Sequence, residues 1–303
     1  MSKKVLVVMG GFSAEREISL MGGQGVTEAL KKKKYKVVTH DLTDVFEFIE
    51  VLKKEKPDVV FNSLYGNWGE DGEIQGLLDM LQIPYTHSGL KASCLGMDKD
   101  ITKLICSAVG IKVPVSEKMT YERFLENGTV IAKPYVIKPV SEGSSIGVFI
   151  IRTDADLKHV KYKDDDTEIL VEKFIKGQEI TVSVVQDKAL TTTELRPKLD
   201  FYDYEAKYTA GMTDHLIPAQ IPEEAARTAM RYAEKIHKVL GCNTLSRSDF
   251  RYNDKDGMVF LEINTNPGMT PLSLVPEQFI HLGGTYEELC AILVEEAKCR
   301  KIG

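Results

Sequence analysis

The chain has 303 residues, of which 43% are apolar and 28% are charged, and its formal net charge is -6. This length predicts two or three domains of roughly 150 residues each. The acidic balance argues against nucleic acid or an anionic membrane as the main partner. No apolar run approaches the ~20 residues of a membrane span, and the run after MSKK is too short for a signal peptide, so we expect a cytoplasmic protein.

The first ninety residues alternate apolar runs and helical patterns. In chain order they predict strand 4–9, helix 15–33, strand 36–41, helix 45–54, strand 58–64 and helix 73–81. Strands separated in this way by helices indicate a parallel sheet covered on both faces. After the first strand, GGFSAEREIS lacks a G-x-G-x-x-G fingerprint; Ser13 is the expected helix N-cap, and Glu15 is available for a substrate ammonium group.

Shorter elements follow. We expect, in order, helix 97–110, strand 135–139, loop 140–147, strand 148–151, a helix from Asp154, strand 168–174, strands 179–187 and 189–196, an aromatic loop 201–214, helix 223–240, a hairpin 244–264 and a helix from Thr285. The five cysteines form no CxxC pair, so we expect them reduced and buried. This α/β pattern, with α+β pieces later in the chain, fits three small lobes packed together.

The hairpin VFLEINTNPG carries two polar residues on an otherwise apolar strand, Glu262 and Asn264, and strand alternation puts them on one face with Phe260. If the turn is 254–257, Asn253 pairs with Met258, which sets Asp249 opposite Glu262 and Arg247 opposite Asn264. Two opposed carboxylates and an amide oxygen suit Mg²⁺ beside substrate phosphates. The alternative is that Asp249 pairs with Arg247 or Arg251 on a solvated face.

Two further segments have open interpretations. VIKPVSEGSSIGVFI sets Lys138 before a small-residue loop that could wrap phosphate oxygens, although an ordinary turn explains the glycines equally well. FYDYEAKY, residues 201–208, is aromatic and charged without a period. It predicts either a lid over a reactive intermediate, with Lys207 meeting anionic groups, or a surface loop folded on its own aromatics.

Together these stretches, with YGNWGEDGEIQGLLDM, MDKDITK, VEKFIKGQE, SRSDFR and LEINTNPGMTPLSLVP, resemble the D-alanine:D-alanine ligase family of the ATP-grasp superfamily along nearly the whole chain. The resemblance implies a three-lobed ATP-grasp fold, with an N-terminal parallel-sheet domain 1–90 holding the first substrate subsite, a central ATP-grasp lobe 91–176, and a C-terminal lobe 177–303 with the metal site and the lid loop. It implies ligation of two D-alanines through an acyl phosphate, for peptidoglycan precursor synthesis, by a homodimer.

The resemblance also implies roles for individual residues. ATP would be gripped by Lys99, Lys138, Glu172 and Glu179. Two ions, Mg²⁺ or Mn²⁺, would be held by Asp249, Glu262 and Asn264. Glu15 would bind the first substrate's ammonium group in a hydrogen-bonded set with Ser144 and Tyr208. Arg247 and the backbone N–H of Gly268 would stabilise the oxyanion. Lys207, Ser273 and Leu274 would bind the second substrate's carboxylate.

One position departs from the family, which usually has His-Gly where this sequence has Tyr65-Gly66. A phenol that titrates near pH 10 does not become a cation at neutral pH as a histidine does. This departure is the one motive for an alternative from another class, a nucleotide-binding regulatory protein without turnover. Within the enzyme class, D-serine or D-lactate as second substrate is the alternative.

Overall fold

The computed structural model describes residues 2–144, 146–198, 212–270 and 273–301. Within this part of the chain the strands form three sheets, of three, five and four strands. Each sheet draws its strands from a separate stretch, 4–62, 116–173 or 178–264. The predicted mixed α/β fold is confirmed, whereas the domain limits stay a prediction.

The first sheet contains β1 (Lys4–Gly10), β2 (Lys36–Leu42) and β3 (Val59–Asn62), all parallel in the order β2-β1-β3. It is accompanied by helices α1 (Arg16–Lys32), α2 (Val45–Glu55) and α3 (Glu73–Met80). Val5 and Val7 enter one core and Leu6 and Val8 another, because successive strand residues point to opposite faces. Burial on both sides explains why β1 is a continuous apolar run.

The start of α1 differs from the prediction. Glu15, not Ser13, occupies the N-cap position, and it makes no side-chain capping bond. The Ser13 hydroxyl instead donates a hydrogen bond to the Tyr65 carbonyl oxygen at 2.6 Å. The capping prediction was therefore wrong, since Ser13 joins the turn after β1 to the segment after β3.

The second sheet has the order β4-β7-β5-β6 and is antiparallel. Its region contains α4 (Leu90–Met97), α5 (Lys99–Ala108), β4 (Ser116–Thr120), α6 (Tyr121–Asn127), β5 (Tyr135–Pro139), β6 (Phe149–Ile151) and β7 (Glu168–Lys173). Helix α5 begins two residues later than predicted because Asp98 caps it by accepting from the Ile101 N–H at 2.9 Å. A 3-10 helix, Asp154–His159, replaces the helix predicted there.

The third sheet has the order β10-β9-β8-β11-β12 and is also antiparallel. Its region contains β8 (Gln178–Val185), β9 (Lys188–Pro197), β10 (Thr213–Leu216), α7 (Glu223–Leu240), β11 (Leu245–Asn253), β12 (Gly257–Asn264), α8 (Leu274–His281) and α9 (Tyr286–Glu295). Helix α7 has the predicted bounds and packs on the sheet through residues such as Ala229 and Ile236.

Helix α9 returns to the first sheet. Its residues Leu289 and Leu293 are buried with Val5 and Val7 of β1 in one apolar cluster. A capping box at Thr285 and Glu288 starts the helix, at the position predicted from the sequence. The last described helix thus completes the core next to the first strand.

Two other features bear on the predictions. None of the helices in the described part of the chain has the length and apolar character that a membrane crossing requires. All five cysteines are free. Cys106 and Cys290 are buried as predicted, but Cys242 and Cys299 are half-buried and Cys94 is exposed, so the prediction of burial was wrong for these three. Cys94 lies in α4, which was not predicted as a helix.

Candidate active site

The β11–β12 hairpin pairs the polar residues as predicted, but for a different reason. Asn253 pairs with Gly257, not Met258, and a bulge beside the Asp249/Phe250 step adds one residue to β12. The two differences cancel, so Asp249 faces Glu262 and Arg247 faces Asn264.

The bulge also changes the strand faces. Phe260 lies in the apolar core with Ile263, so the prediction that Phe260 shares a face with Glu262 and Asn264 was wrong. Leu261 and Glu262 both line the same pocket, in agreement with the bulge at this point of the strand.

Two adjacent pockets contain the predicted residues. The first pocket is lined by Glu15, Lys99, Ser144, Arg247, Glu262, Asn264, Gly268, Ser273 and Leu274. The second pocket is lined by Lys99, Lys138, Glu172, Glu179, Asp249, Glu262 and Leu274. Because Lys99, Glu262 and Leu274 line both, the two pockets adjoin. Lys207 and Tyr208, with the whole segment 201–208, lie outside the described residues.

Glu172 lies between two lysines at the base of the second pocket. Its carboxylate is bonded to Lys138 Nζ at 2.8 Å and also to the ammonium group of Lys103, and all three side chains are buried. Burial by itself raises the pKa of Glu172, but the two ammonium groups outweigh it and lower that pKa. Burial lowers the pKa of Lys103 to about 7, whereas Glu172 and Glu262 raise the pKa of Lys138 against burial. Lys138 is therefore a fixed positive charge in this pocket.

Glu179 lies on β8 directly opposite Arg251 of β11. Arg251 Nη2 donates to Glu179 Oε2 at 2.6 Å, and its Nη1 donates to the Gly177 carbonyl oxygen at 3.0 Å. Arg251 therefore holds Glu179 at the wall of the second pocket and does not pair with Asp249.

Asp249 is bonded to Arg247, the partner that the alternative interpretation named. Arg247 donates to both carboxylate oxygens, at 3.0 and 2.9 Å, and Thr181 Oγ1 donates at 2.6 Å. Both side chains are about 15% exposed, so this face is not the solvated one that the alternative required. A two-bond guanidinium–carboxylate contact fixes the direction of both groups.

The donor set at the junction of the pockets fits a hard divalent cation. Asp249 and Glu262 supply carboxylate oxygens from facing positions, and Asn264 Oδ1, which accepts from the Asn266 N–H at 2.8 Å, has a second lone pair. Among the described residues, no three His, Cys, Asp or Glu side chains gather as a metal site. Two carboxylates and an amide leave coordination positions for phosphate oxygens, as Mg²⁺ prefers.

Glu15 is buried at the opposite wall of the first pocket. The Ser144 hydroxyl donates to Glu15 Oε1, which joins the turn before α1 to the loop after β5. A Cβ on Gly66, whose φ is +70°, would lie 2.8 Å from Glu15 Oε2, so glycine allows the close approach. The predicted Glu15–Ser144 pair is thus present, and its third member, Tyr208, is outside the described residues.

Gly268 and Ser273 lie close together in the loop between β12 and α8. A Cβ on Gly268 would lie 2.9 Å from Ser273 Oγ, and Ser273 Oγ accepts from the Thr270 N–H at 3.0 Å. Ser273 occupies the N-cap position of α8, whose first residue is Leu274. The positive end of this helix therefore faces the first pocket, which suits an anionic group.

Sequence reasoning missed three groups at the site. Lys103 bonds Glu172, and its spacing of one helical turn from Lys99 was the available signal. Glu70 lines the first pocket, and burial and then the charge of Glu15 raise its pKa well above the usual value. Tyr65 was noticed as a departure, but its contact with the loop containing Gly268 has no sequence signal.

The fold is mixed α/β, and its adjacent pockets carry buried lysines, an arginine and a hairpin with two facing carboxylates. These features together are those of an ATP-grasp ligase. Family models described as D-ala D-ala ligase N-terminus and C-terminus match residues 46–88 and 106–295. The chain belongs to the D-alanine:D-alanine ligase family.

Individual relatives agree along the whole length. The chain is 50% identical over 304 residues to the D-alanine–D-alanine ligase of Zymomonas mobilis, covering 97% of this chain and 94% of that protein. It is 46% identical to that of Gluconobacter oxydans, covering 98% and 100%. The ATP complex of the Bacillus anthracis ligase superposes with a TM-score of 0.81 at 32% identity, covering 98% and 97%. A D-Ala:D-Ser ligase from Enterococcus faecalis superposes with a TM-score of 0.81 at 28% identity, covering 97% of this chain and 99% of that one.

Proposed function

We propose that this chain joins two D-alanines into D-alanyl-D-alanine with conversion of ATP to ADP and phosphate, for peptidoglycan precursor synthesis. The observation that carries the proposal is the junction of the two pockets, where Glu262 lines both the pocket with the Glu15–Ser144 pair and Arg247 and the pocket with the buried Lys138. An ammonium-binding carboxylate on one side and a phosphate-binding cation on the other suit phosphoryl transfer to an amino acid carboxylate. The names of the relatives support the same activity.

ATP would occupy the second pocket. Lys99, Lys138, Glu172 and Glu179 would bind it there, as the family resemblance implies. The raised pKa of Lys138 supports the assignment, because an ammonium group that stays protonated keeps its attraction for phosphate.

Mg²⁺ or Mn²⁺, as two ions, would be held by Asp249, Glu262 and Asn264. When bound, such an ion neutralises phosphate charge. Arg247 already neutralises Asp249, so the pair of facing carboxylates is tolerated between these strands.

The first D-alanine would be oriented by Glu15 in the first pocket. The Glu15 carboxylate would bind its ammonium group, and the Ser144 hydroxyl bond would keep that carboxylate in one orientation. The substrate carboxylate would then point towards the second pocket and take the γ-phosphoryl group. This step turns a poor leaving group into a good one, because phosphate departs where carboxylate oxygen does not.

The second D-alanine would attack the acyl phosphate. Its amine, after losing a proton, forms a C–N bond to the carbonyl carbon, and the C–O bond to phosphate breaks. Arg247 and the backbone N–H of Gly268 would stabilise the oxyanion of the tetrahedral intermediate. Ser273 and Leu274 at the start of α8, with Lys207, would bind the second carboxylate.

The second substrate's identity is the finer part of this proposal. The similarity to a D-Ala:D-Ser ligase supports testing D-serine as the second substrate, and D-lactate is the other alternative to test. We further propose a cytoplasmic homodimer that acts on D-alanine, without nucleic acid or membrane as partner.

The test is phosphate release from MgATP by the purified protein, with products identified by mass. Reactions contain no amino acid, D-alanine, L-alanine, or D-alanine with D-serine or D-lactate. Release with D-alanine and formation of its dipeptide is expected, with L-alanine inactive. ATP binding without release under any condition would contradict the proposal and favour the non-catalytic alternative.

A further inference from the structure

Tyr65 is buried in the wall of the first pocket with 3% exposure. Its hydroxyl oxygen accepts a hydrogen bond from the Met269 N–H at 2.9 Å. Burial raises its pKa to about 12, so the phenol stays neutral at the pH of the reaction. The hydroxyl is therefore a constant acceptor for this backbone group.

The bonded N–H belongs to the peptide that joins Gly268 to Met269. On the other side of Met269, the Tyr286 hydroxyl donates to the Met269 carbonyl oxygen. Two phenols thus fix two successive peptide groups immediately after Gly268. The Asn266 side-chain amide, which donates to the Leu64 carbonyl oxygen at 2.7 Å, joins the same two loops a second time.

Helix α1 has space for both phenols because it carries glycines opposite them. A Cβ on Gly22 would lie 2.7 Å from the Tyr65 hydroxyl oxygen, and one on Gly25 would lie 3.3 Å from that of Tyr286. Glycine in a helix interior costs about 1 kcal/mol relative to alanine. Helix α1 carries this cost at both Gly22 and Gly25, the two positions that face the phenol hydroxyls.

We propose that Tyr65 is a positioning residue for the oxyanion site, which it serves by fixing the peptide after Gly268. This inference rests on the proposed function. The Gly268 N–H lies in the preceding peptide, and glycine has the widest φ and ψ freedom of any residue, so this N–H keeps one direction only if the peptide after Gly268 is also held. An oxyanion donor is effective because it is oriented before the charge develops. Tyr65 provides that orientation from the N-terminal part of the chain.

The proposal separates the two chemical steps. Phosphorylation of the first substrate creates no tetrahedral carbon, whereas attack by the second amine does. Tyr65→Phe should therefore lower kcat about 10- to 100-fold, with KM for ATP and for the first D-alanine within about twofold of the original. A dipeptide phosphinate, whose tetrahedral phosphorus mimics the attacked carbonyl carbon, should lose affinity by the same factor as kcat.

A double-mutant cycle with Gly22→Ala tests the geometry. The added methyl collides with the Tyr65 hydroxyl, so Gly22→Ala should lower kcat in the original protein. In the Tyr65→Phe background the collision partner is absent, and Gly22→Ala should have little further effect. The matched control is Tyr85→Phe, which removes another buried hydroxyl of the same lobe. The Tyr85 hydroxyl donates to Asp79 Oδ1 at 3.1 Å, and neither residue lines the two pockets.

Full kcat in Tyr65→Phe, an equal loss in Tyr85→Phe, or a Gly22→Ala effect of the same size in both backgrounds would each overturn the proposal. A raised KM for the first D-alanine would instead identify a direct substrate contact, and would equally overturn it. Dipeptide formation by the unaltered protein, measured in the same assay, tests the proposed function separately from these ratios. Thermal melting of each variant identifies any loss that comes from unfolding.

Discussion

The Asp249 carboxylate is bonded to the Arg247 guanidinium, and in the proposed function it also shares a divalent cation with Glu262, which it faces across the hairpin. A carboxylate with two oxygens can serve both, because each oxygen has two lone pairs. Removing its charge affects the cation more strongly than the fold, since Thr181 and Arg247 can still donate to an amide oxygen.

We therefore predict that Asp249→Asn lowers turnover by more than the roughly 10- to 100-fold that loss of an outer metal-site partner costs. Magnesium titration of ADP formation should show a higher requirement, while circular dichroism is unchanged. Asp254→Asn in the turn of the same hairpin is the control, because Asp254 is exposed and lines neither pocket. Ordinary activity of Asp249→Asn at ordinary magnesium would remove Asp249 from the metal site.

His87 is a buried residue that the proposed reaction does not use. Its Nδ1 lies 2.9 Å from the Thr86 hydroxyl, and Nε2 has no hydrogen-bond partner among the described residues. Burial lowers its pKa to about 3. In the unfolded chain His87 binds a proton near pH 6.5, whereas in the folded chain it binds one only near pH 3. The stability of the folded state therefore falls as pH decreases from about 6.5 towards 3.

We predict that His87→Asn abolishes this part of the acid sensitivity. Asparagine also tolerates the left-handed backbone at this position, where φ is 68°. Between pH 7 and 4.5 the original protein should lose roughly 2–3 kcal/mol more than the variant in urea unfolding. The exposed His159→Asn should behave as the original protein does; equal pH slopes for all three would show that His87 is protonated in the folded state.

At the scale of elements, the hairpin shows what sequence reasoning can and cannot reach. Alternation identified the strands, and the facing of Asp249 and Glu262 was predicted correctly. The shorter turn and the compensating bulge were not foreseen, because FLEIN alternates as a regular strand does and a bulge leaves no period of its own.

The other misses have similar causes. Strand β4 (Ser116–Thr120) has charged residues among few apolar ones, and α4 (Leu90–Met97) has small residues that packing, not propensity, holds in a helix. Helix α7 was predicted correctly because 18 residues carry a sustained period. Most site residues came from the family resemblance. The spacing of Lys103 from Lys99 was a signal that was not used, whereas the role of Glu70 depends on three-dimensional burial that no spacing reveals.

The bulge itself leads to a prediction. Deleting Leu261 should make the hairpin regular and keep Glu262 opposite Asp249, but it removes an apolar wall of the second pocket. KM for ATP should rise about tenfold, at the lower end of the ~1.5–3 kcal/mol that a fully buried leucine contributes, because Leu261 is only half-buried, while KM for D-alanine should be unchanged. Leu261→Gly keeps the backbone bulge without the side chain and should give the same rise. A loss of D-alanine affinity in the deletion alone would mean that the bulge positions Glu262.

At the scale of the whole molecule, α9 packs against α1 and β3 and shares an apolar cluster with β1, and so it joins the two ends of the chain. Leu293 is 1% exposed and packs in the same cluster as Val5 and Val7. The first sheet therefore depends on a helix almost three hundred residues away in sequence.

We predict that Leu293→Ala costs about 2–5 kcal/mol of stability, the usual range for a buried leucine. Amide hydrogen exchange should accelerate in β1 as well as in α9, because residues of both belong to the apolar cluster in which the substitution leaves a cavity. Leu282→Ala makes the same substitution at an exposed position, 54% accessible, and should change neither quantity. Faster exchange in α9 alone would mean that the first sheet is stable without it.

The same contact has a consequence for biosynthesis. The amino-terminal sheet leaves the ribosome first, and α1 covers part of the face that carries Val5 and Val7, but the apolar cluster on this face is complete only after α9 has emerged. At 5–20 residues per second, translation of this length takes roughly 15–60 s. During that interval the nascent chain presents a valine-rich surface to the cell, so chaperone engagement should concentrate on the growing polypeptide and end when α9 docks.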